Sequence, residues 1–339
     1  MREKGSLRFS IRRNRKKLCP GDLVTVRSFP EISSTLGQSG ALEGLPFLPE
    51  MLKYCGRTFI VRRRVDKLIQ EGSRGGMRRI KNVVLLDGTV CDGKAHGDCQ
   101  RACFLLWKTA WLIPADGGLE SAQGESIGGS GAGPQSGETL LSHGKVCQVT
   151  ELTVATTPLR LWDPRRYYGD ITSHIYTPID YLSYLLGGIY RNTLRRLIGR
   201  WHNKKAPRSN PVASERLNLQ QGQLVEVKSA EEIHATLNPS GRNRGLYFMP
   251  GMWDYCGRRL RVLYRVDRMM SEKTGELRAL NQTVILEGVT CNGKAHGGCQ
   301  RGCYVFWKDT WLRRIAEDPQ EPPSYSCNPL GHSGRTKRS

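Results

Sequence analysis

The residues best suited to chemistry are cysteines and histidines in a motif that occurs twice. Cys91-Asp-Gly-Lys-Ala-His96-Gly-Asp-Cys99-Gln-Arg-Ala-Cys103 returns as Cys291-Asn-Gly-Lys-Ala-His296-Gly-Gly-Cys299-Gln-Arg-Gly-Cys303, with ten of thirteen positions identical. Three thiols and one imidazole in so short a span suit a tetrahedral soft-metal site, for which zinc is the first choice. Cys99 and Cys103 are four apart, so a helical turn would set both thiols on one face. Cys91 precedes a glycine-containing loop that can fold back over that turn. An iron–sulfur cluster is the second cofactor to consider, because thiolate ligation serves it as well.

The fourth ligand has three candidates. Cys55 and Cys256 match each other, each following Tyr and preceding Gly, and His96 and His296 lie inside the motifs. Cys147 and Cys327 form a further matched pair. Cys55 is favoured over His96, since four thiolates make the commoner closed structural set. Five cysteines fall to each copy, and Cys19 is the remainder of the eleven.

A thiol enzyme would use Cys99 as nucleophile and His96 as base, three residues apart. A catalytic cysteine usually stands alone, whereas these stand among other thiols and occur in both copies. The sequence holds no Ser–His–Asp pattern, no phosphate-binding Gly-x-x-x-x-Gly-Lys-Ser/Thr loop and no His-Glu-x-x-His. The reading is therefore non-enzymatic binding or scaffolding, with an enzyme or enzyme accessory as the alternative.

The elements that position the motif are themselves repeated. Gly21-Asp-Leu-Val-Thr-Val26 reappears as Gly222-Gln-Leu-Val-Glu-Val227, and Tyr54-Cys-Gly-Arg57 as Tyr255-Cys-Gly-Arg258, at an offset of 201 that becomes 200 at the cysteine motif. Two modules related by internal duplication follow, at 21–115 and 217–317. Short runs rich in Val, Ile and Leu at Leu23–Arg27, Thr58–Val65 and Asn82–Leu86, with counterparts 201 or 200 residues later, read as strands. The expected fold is mainly β with some α, each module a small SH3-like β-barrel. Trp107 and Trp111, with Trp307 and Trp311, read as core packing over the metal site.

Around the modules lie a basic tail (1–20), a Gly/Ser-rich loop (116–144), a segment with a strand and an amphipathic basic helix (145–216), and a C-terminal tail (318–339). Thr177-Pro-Ile-Asp180 carries the signals of a helix start. The 339 residues carry 52 Lys+Arg against 31 Asp+Glu, a net charge of +21. The excess concentrates in the tail, with Arg12, Arg13, Arg15, Lys16 and Lys17, and along the helix, with Arg191, Arg195, Arg196 and Arg200. Such clusters favour an anionic partner, RNA or DNA first and a membrane surface second. A protein partner is the remaining option. No run reaches the roughly 18 apolar residues of a membrane span. The basic N-terminus has no apolar stretch behind it, so a cytoplasmic protein with reduced thiols is expected.

Overall fold

Alternating burial sets the first strand of each half. Val24 and Val26 are fully buried while Leu23 and Thr25 are partly exposed, and Val225 and Val227 repeat the pattern. This is the two-residue period of a strand with one face on a core. The computed structural model describes residues 17–70, 76–115, 147–160, 162–167 and 217–315. The Gly/Ser-rich loop, the basic helix with Arg191, Arg195, Arg196 and Arg200, the C-terminal tail, and Arg12, Arg13, Arg15 and Lys16 of the N-terminal tail lie outside them.

The described chain is mainly β with a few short helices. The first half comprises β1 (Leu23–Val26), β2 (Ala41–Leu42), β3 (Leu45–Pro46), β4 (Thr58–Ile69), β5 (Met77–Leu86), β6 (Trp107–Lys108), β7 (Leu112–Pro114) and β8 (Thr157–Pro158). The second comprises β9 (Leu224–Val227), β10 (Arg242–Asn243), β11 (Leu246–Tyr247), β12 (Arg259–Arg265), β13 (Arg268–Met270), β14 (Leu277–Ala279), β15 (Thr283–Thr290), β16 (Tyr304–Lys308) and β17 (Leu312–Arg314). The main sheets run β6-β5-β4-β1-β7 and β16-β15-β12-β9-β17, the same order in both halves. Every pairing is antiparallel.

Four tryptophans fill the two cores. Trp107, Trp111, Trp307 and Trp311 are all 0% exposed. Phe47 meets Trp111 edge-on at 5.3 Å, and Phe248 meets Trp311 at 5.0 Å. The indole N–H of Trp107 donates to the Thr89 hydroxyl at 3.0 Å. Val289 occupies the matching place in the second half, and the Trp307 indole N–H has no partner among the described residues.

The segment after the Gly/Ser-rich loop returns to the first half. Cys147, Val149, Leu152 and Ala155 belong to its core, and β8 pairs with β5. Buried Gln148 pins the return. Its side-chain oxygen accepts from Leu106 N at 2.8 Å, and its amide donates to the carbonyls of Pro46 and Leu106 at 3.0 Å.

The halves dock through their cysteine motifs, reciprocally. Gln300 Oε1 accepts from the backbone N–H of Asp66 (2.6 Å) and Lys67 (3.1 Å), while Gln100 Oε1 accepts from Asp267 (2.6 Å) and Arg268 (3.1 Å). The backbone N–H of Gln300 donates to Lys67 O and that of Gln100 to Arg268 O. Ala102, Val266 and Ile285 form a small shared apolar cluster from both sides of the contact. Such reciprocity is that of an isologous interface, here closed within one chain.

Candidate metal centre

The motif is folded by its glycines. Gly93 adopts φ +75°, and a Cβ there would stand 2.0 Å from the Cys99 carbonyl oxygen. Gly293, at φ +77°, has the same relation to Cys299. Only glycine permits this approach, so the loop after Cys91 closes tightly on the chain at Cys99. A short 3-10 turn, Lys94–His96, then carries the histidine inward.

The helical turn expected over Cys99–Cys103 does not form. Asp98 and Ala102 both have positive φ, at 56° and 51°, which breaks a right-handed turn. Cys99 accepts a hydrogen bond from Met270 N in the other half at 3.2 Å. Cys299 does the same with Ile69 N at 3.3 Å. Cys103 stays beside Cys91, whose backbone N–H donates to its carbonyl at 2.8 Å, and Cys291 and Cys303 repeat this at 2.7 Å.

Cys91 instead gathers His96 and Glu50. One ligand atom from each lies within 4.8 Å of the other two, a group able to hold a metal ion. Cys91 Sγ and His96 Nε2 are 3.4 Å apart. Two ligands of one tetrahedral zinc ion, at ordinary bond lengths, would stand about 3.6 Å apart. Cys91 is 6% exposed and His96 0%. The buried Glu50 carboxyl faces Cys91 and Asp92, and Nδ1 of His96, the ring nitrogen that is not beside Cys91, is buried with no partner among the described residues. A thiol, an imidazole and a carboxyl brought this close and buried together are a donor set that suits an ion.

Protonation reflects the same burial. Burial, reinforced by the neighbouring Asp92 charge, pushes the Glu50 carboxyl up to about 7. Burial also drives the Cys91 thiol far up, and Glu50 beside it adds to the shift. His96 is lowered by burial, which keeps it neutral and able to ligate. A metal would displace protons from the thiol and the carboxyl, as metal sites require.

Cys55 and Cys256 do not join the group. Each follows a 3-10 turn, Pro49–Tyr54 or Pro250–Tyr255, and packs partly buried against its own core. Glu50, in the first of these turns, stands beside Cys91 in their place. Sequence reasoning passed it over because its counterpart is Gly251, so the repeat gave no signal there. In the second half Cys291 Sγ lies 3.5 Å from His296 Nδ1, with neutral Asn292 where the first half has Asp92. None of the ten described cysteines is disulfide-bonded. Among the described residues no helix is long and apolar enough to cross a membrane. The chain matches no known family model, no curated protein and no solved structure.

Proposed function

We propose that the chain is a non-enzymatic, metal-stabilised binding protein. The observation that carries this reading is the buried Glu50–Cys91–His96 group, whose ligand atoms lie within 4.8 Å of one another. Sulfur, nitrogen and carboxylate oxygen are all ordinary zinc donors, so zinc is the ion assigned. The first half holds it, because Gly251 leaves the second half without the carboxylate.

Descent of both halves from one SH3-like module is part of the proposal. The shared strand order supports it, with a 3-10 turn before the last strand and that strand closing on the first. The binding partner is anionic, RNA or DNA first and a membrane surface second, recognised by Arg12 to Lys17 and Arg191 to Arg200. The support for this part is the charge distribution in the sequence.

The enzyme alternative would take Cys91 as nucleophile and His96 as base, and their 3.4 Å contact favours it. Their near-complete burial weighs against it, since neither is presented to a substrate.

Elemental analysis of the purified chain tests the metal, with one zinc per chain expected and none in Cys91→Ser. A folded, metal-free wild-type chain would overturn the reading. Deleting residues 1–18 tests the partner, and should weaken RNA binding and flatten its salt dependence. Anionic vesicles measured in parallel separate the two partner classes.

A further inference from the structure

Beside Cys91 lies a small cavity lined by Cys103, Cys147 and Gln148 of the first half and by Arg301 of the second. Arg301 is 5% exposed. Its Nη1 donates to Glu272 Oε1 at 2.6 Å, but its Nη2 is buried with no partner among the described residues. A guanidinium donor left bare in the interior points to an acceptor that the protein alone does not supply. Gln148, which also lines the cavity, turns its side-chain oxygen to Leu106 N and its amide to the carbonyls of Pro46 and Leu106.

A metal at Glu50, Cys91 and His96 would account for the missing acceptor. Three protein ligands leave a tetrahedral ion one position short of a closed structural set. Cys103 and Cys147 line this cavity together with Cys91; neither sulfur is within 4.8 Å of all three ligand atoms, so either would have to turn inward to fill the position. A divalent ion with one carboxylate and two thiolates carries one net negative charge, and a guanidinium cancels it.

We propose that a cavity thiolate, from Cys103 or Cys147, closes the coordination of the zinc ion, and that Arg301 is its counter-charge, contributed by the other half. This rests on the metal reading above and extends it to the donor set. Zinc loading and docking of the two halves then become one linked equilibrium. Gln300, the residue before Arg301, is itself bound to Asp66 and Lys67 of the first half. Arg301 is therefore held at the cavity only while the halves are docked.

The test uses the full chain. Cadmium replaces zinc, and the thiolate-to-cadmium absorbance of the first bound equivalent is measured. The band should fall by about half in Cys103→Ser or in Cys147→Ser. Chelator competition should show Arg301→Gln weakening zinc binding by roughly 10–100-fold, the usual effect of losing an outer-shell partner. Arg301→Lys, which keeps the charge, should recover most of it. An unchanged band in both serine variants would overturn the proposal, as would wild-type affinity in Arg301→Gln. Should Arg301→Gln not fold, the serine variants decide alone. Failure of the wild-type chain to take up any metal is a separate outcome, which removes the Glu50–Cys91–His96 reading as well.

Discussion

Phe104 stacks on Tyr304, the residue at the same place in the second motif, with ring centroids 5.1 Å apart and planes inclined by 23°. The Arg62 guanidinium lies over the Phe104 ring at 4.7 Å. Like meets like at this point, and the Gln100 and Gln300 contacts flank it in matching pairs. Retention of Cys-Gln-Arg in both copies thus has a cause apart from metal. Cys99, Gln100 and their equivalents hold the opposite half.

Gln300→Ala should therefore destabilise the chain. Gln300 is fully buried, and its removal leaves the amides of Asp66 and Lys67 without their acceptor. Orphaned buried donors cost about 1–3 kcal/mol. Urea unfolding is the measurement, and a midpoint equal to wild type would show that this docking contact contributes nothing.

Glu272→Gln should cost more. Glu272 Oε1 is 2.6 Å from both Arg101 Nη2 and Arg301 Nη1, and its side chain is 0% exposed. Removing one member of a buried ionic group costs roughly 3–5 kcal/mol, because the remaining charge stays desolvated. Arg313→Ala is the control. Its pairs with Glu226 and Glu232 are exposed, and such pairs contribute about 1 kcal/mol or less. Equal losses in the two variants would contradict this ranking.

The strands were legible in the sequence where burial alternates, as in Leu23–Val26, and where Val, Ile and Leu cluster, as in Asn82–Leu86. The long arms of β4 and β5 were not. They run on through Lys67, Arg78 and Arg79, whose polar ends find partners far along the chain. Lys67 Nζ donates to the carbonyls of Arg166 and Gly297, and Arg78 to Thr153 and Thr156. Local polarity reads as loop when the satisfying carbonyls lie 75 to 230 residues away. The cysteine motif was legible as a chemical unit, but its backbone conformation was not. Spacing alone put Cys99 and Cys103 on one helical turn, whereas positive φ at Asp98 and Ala102 breaks that turn and Cys99 accepts from Met270 N of the other half. Glu50 stayed hidden because the repeat drew attention only to residues present in both copies.

Asp309→Asn should stabilise the chain in a pH-dependent way. Asp309 is 2% exposed, and its Oδ2 has no partner among the described residues. Burial raises its carboxyl above the usual value, although Arg265, Lys308 and Arg314 pull the other way. The folded state therefore holds this proton more tightly than the unfolded state does. Its contribution to stability falls as pH rises through the folded value and stays low at neutrality. Thermal melts should show the Asn variant more stable than wild type at pH 7, with the advantage shrinking toward pH 4. A pH-independent difference would assign the effect to packing.

Gly251→Glu should give the second half a metal site of its own. Gly251 occupies the position of Glu50 in the matching 3-10 turn, Pro250–Tyr255 against Pro49–Tyr54. Its φ is not in the positive range, so a side chain costs no backbone strain there. A Cβ would meet only the Asn292 side-chain amide, at 3.7 Å, an ordinary contact. Cys291 and His296 already stand 3.5 Å apart, close to the spacing of Cys91 and His96. Burial raises the Cys291 thiol and lowers His296, the same directions as in the first half. The missing donor is thus the carboxylate, and adding it should raise zinc from one to two per chain by elemental analysis. Cys291→Ser in the same background should return the content to one. A variant that still binds a single ion would mean that Glu50 is not what distinguishes the two halves.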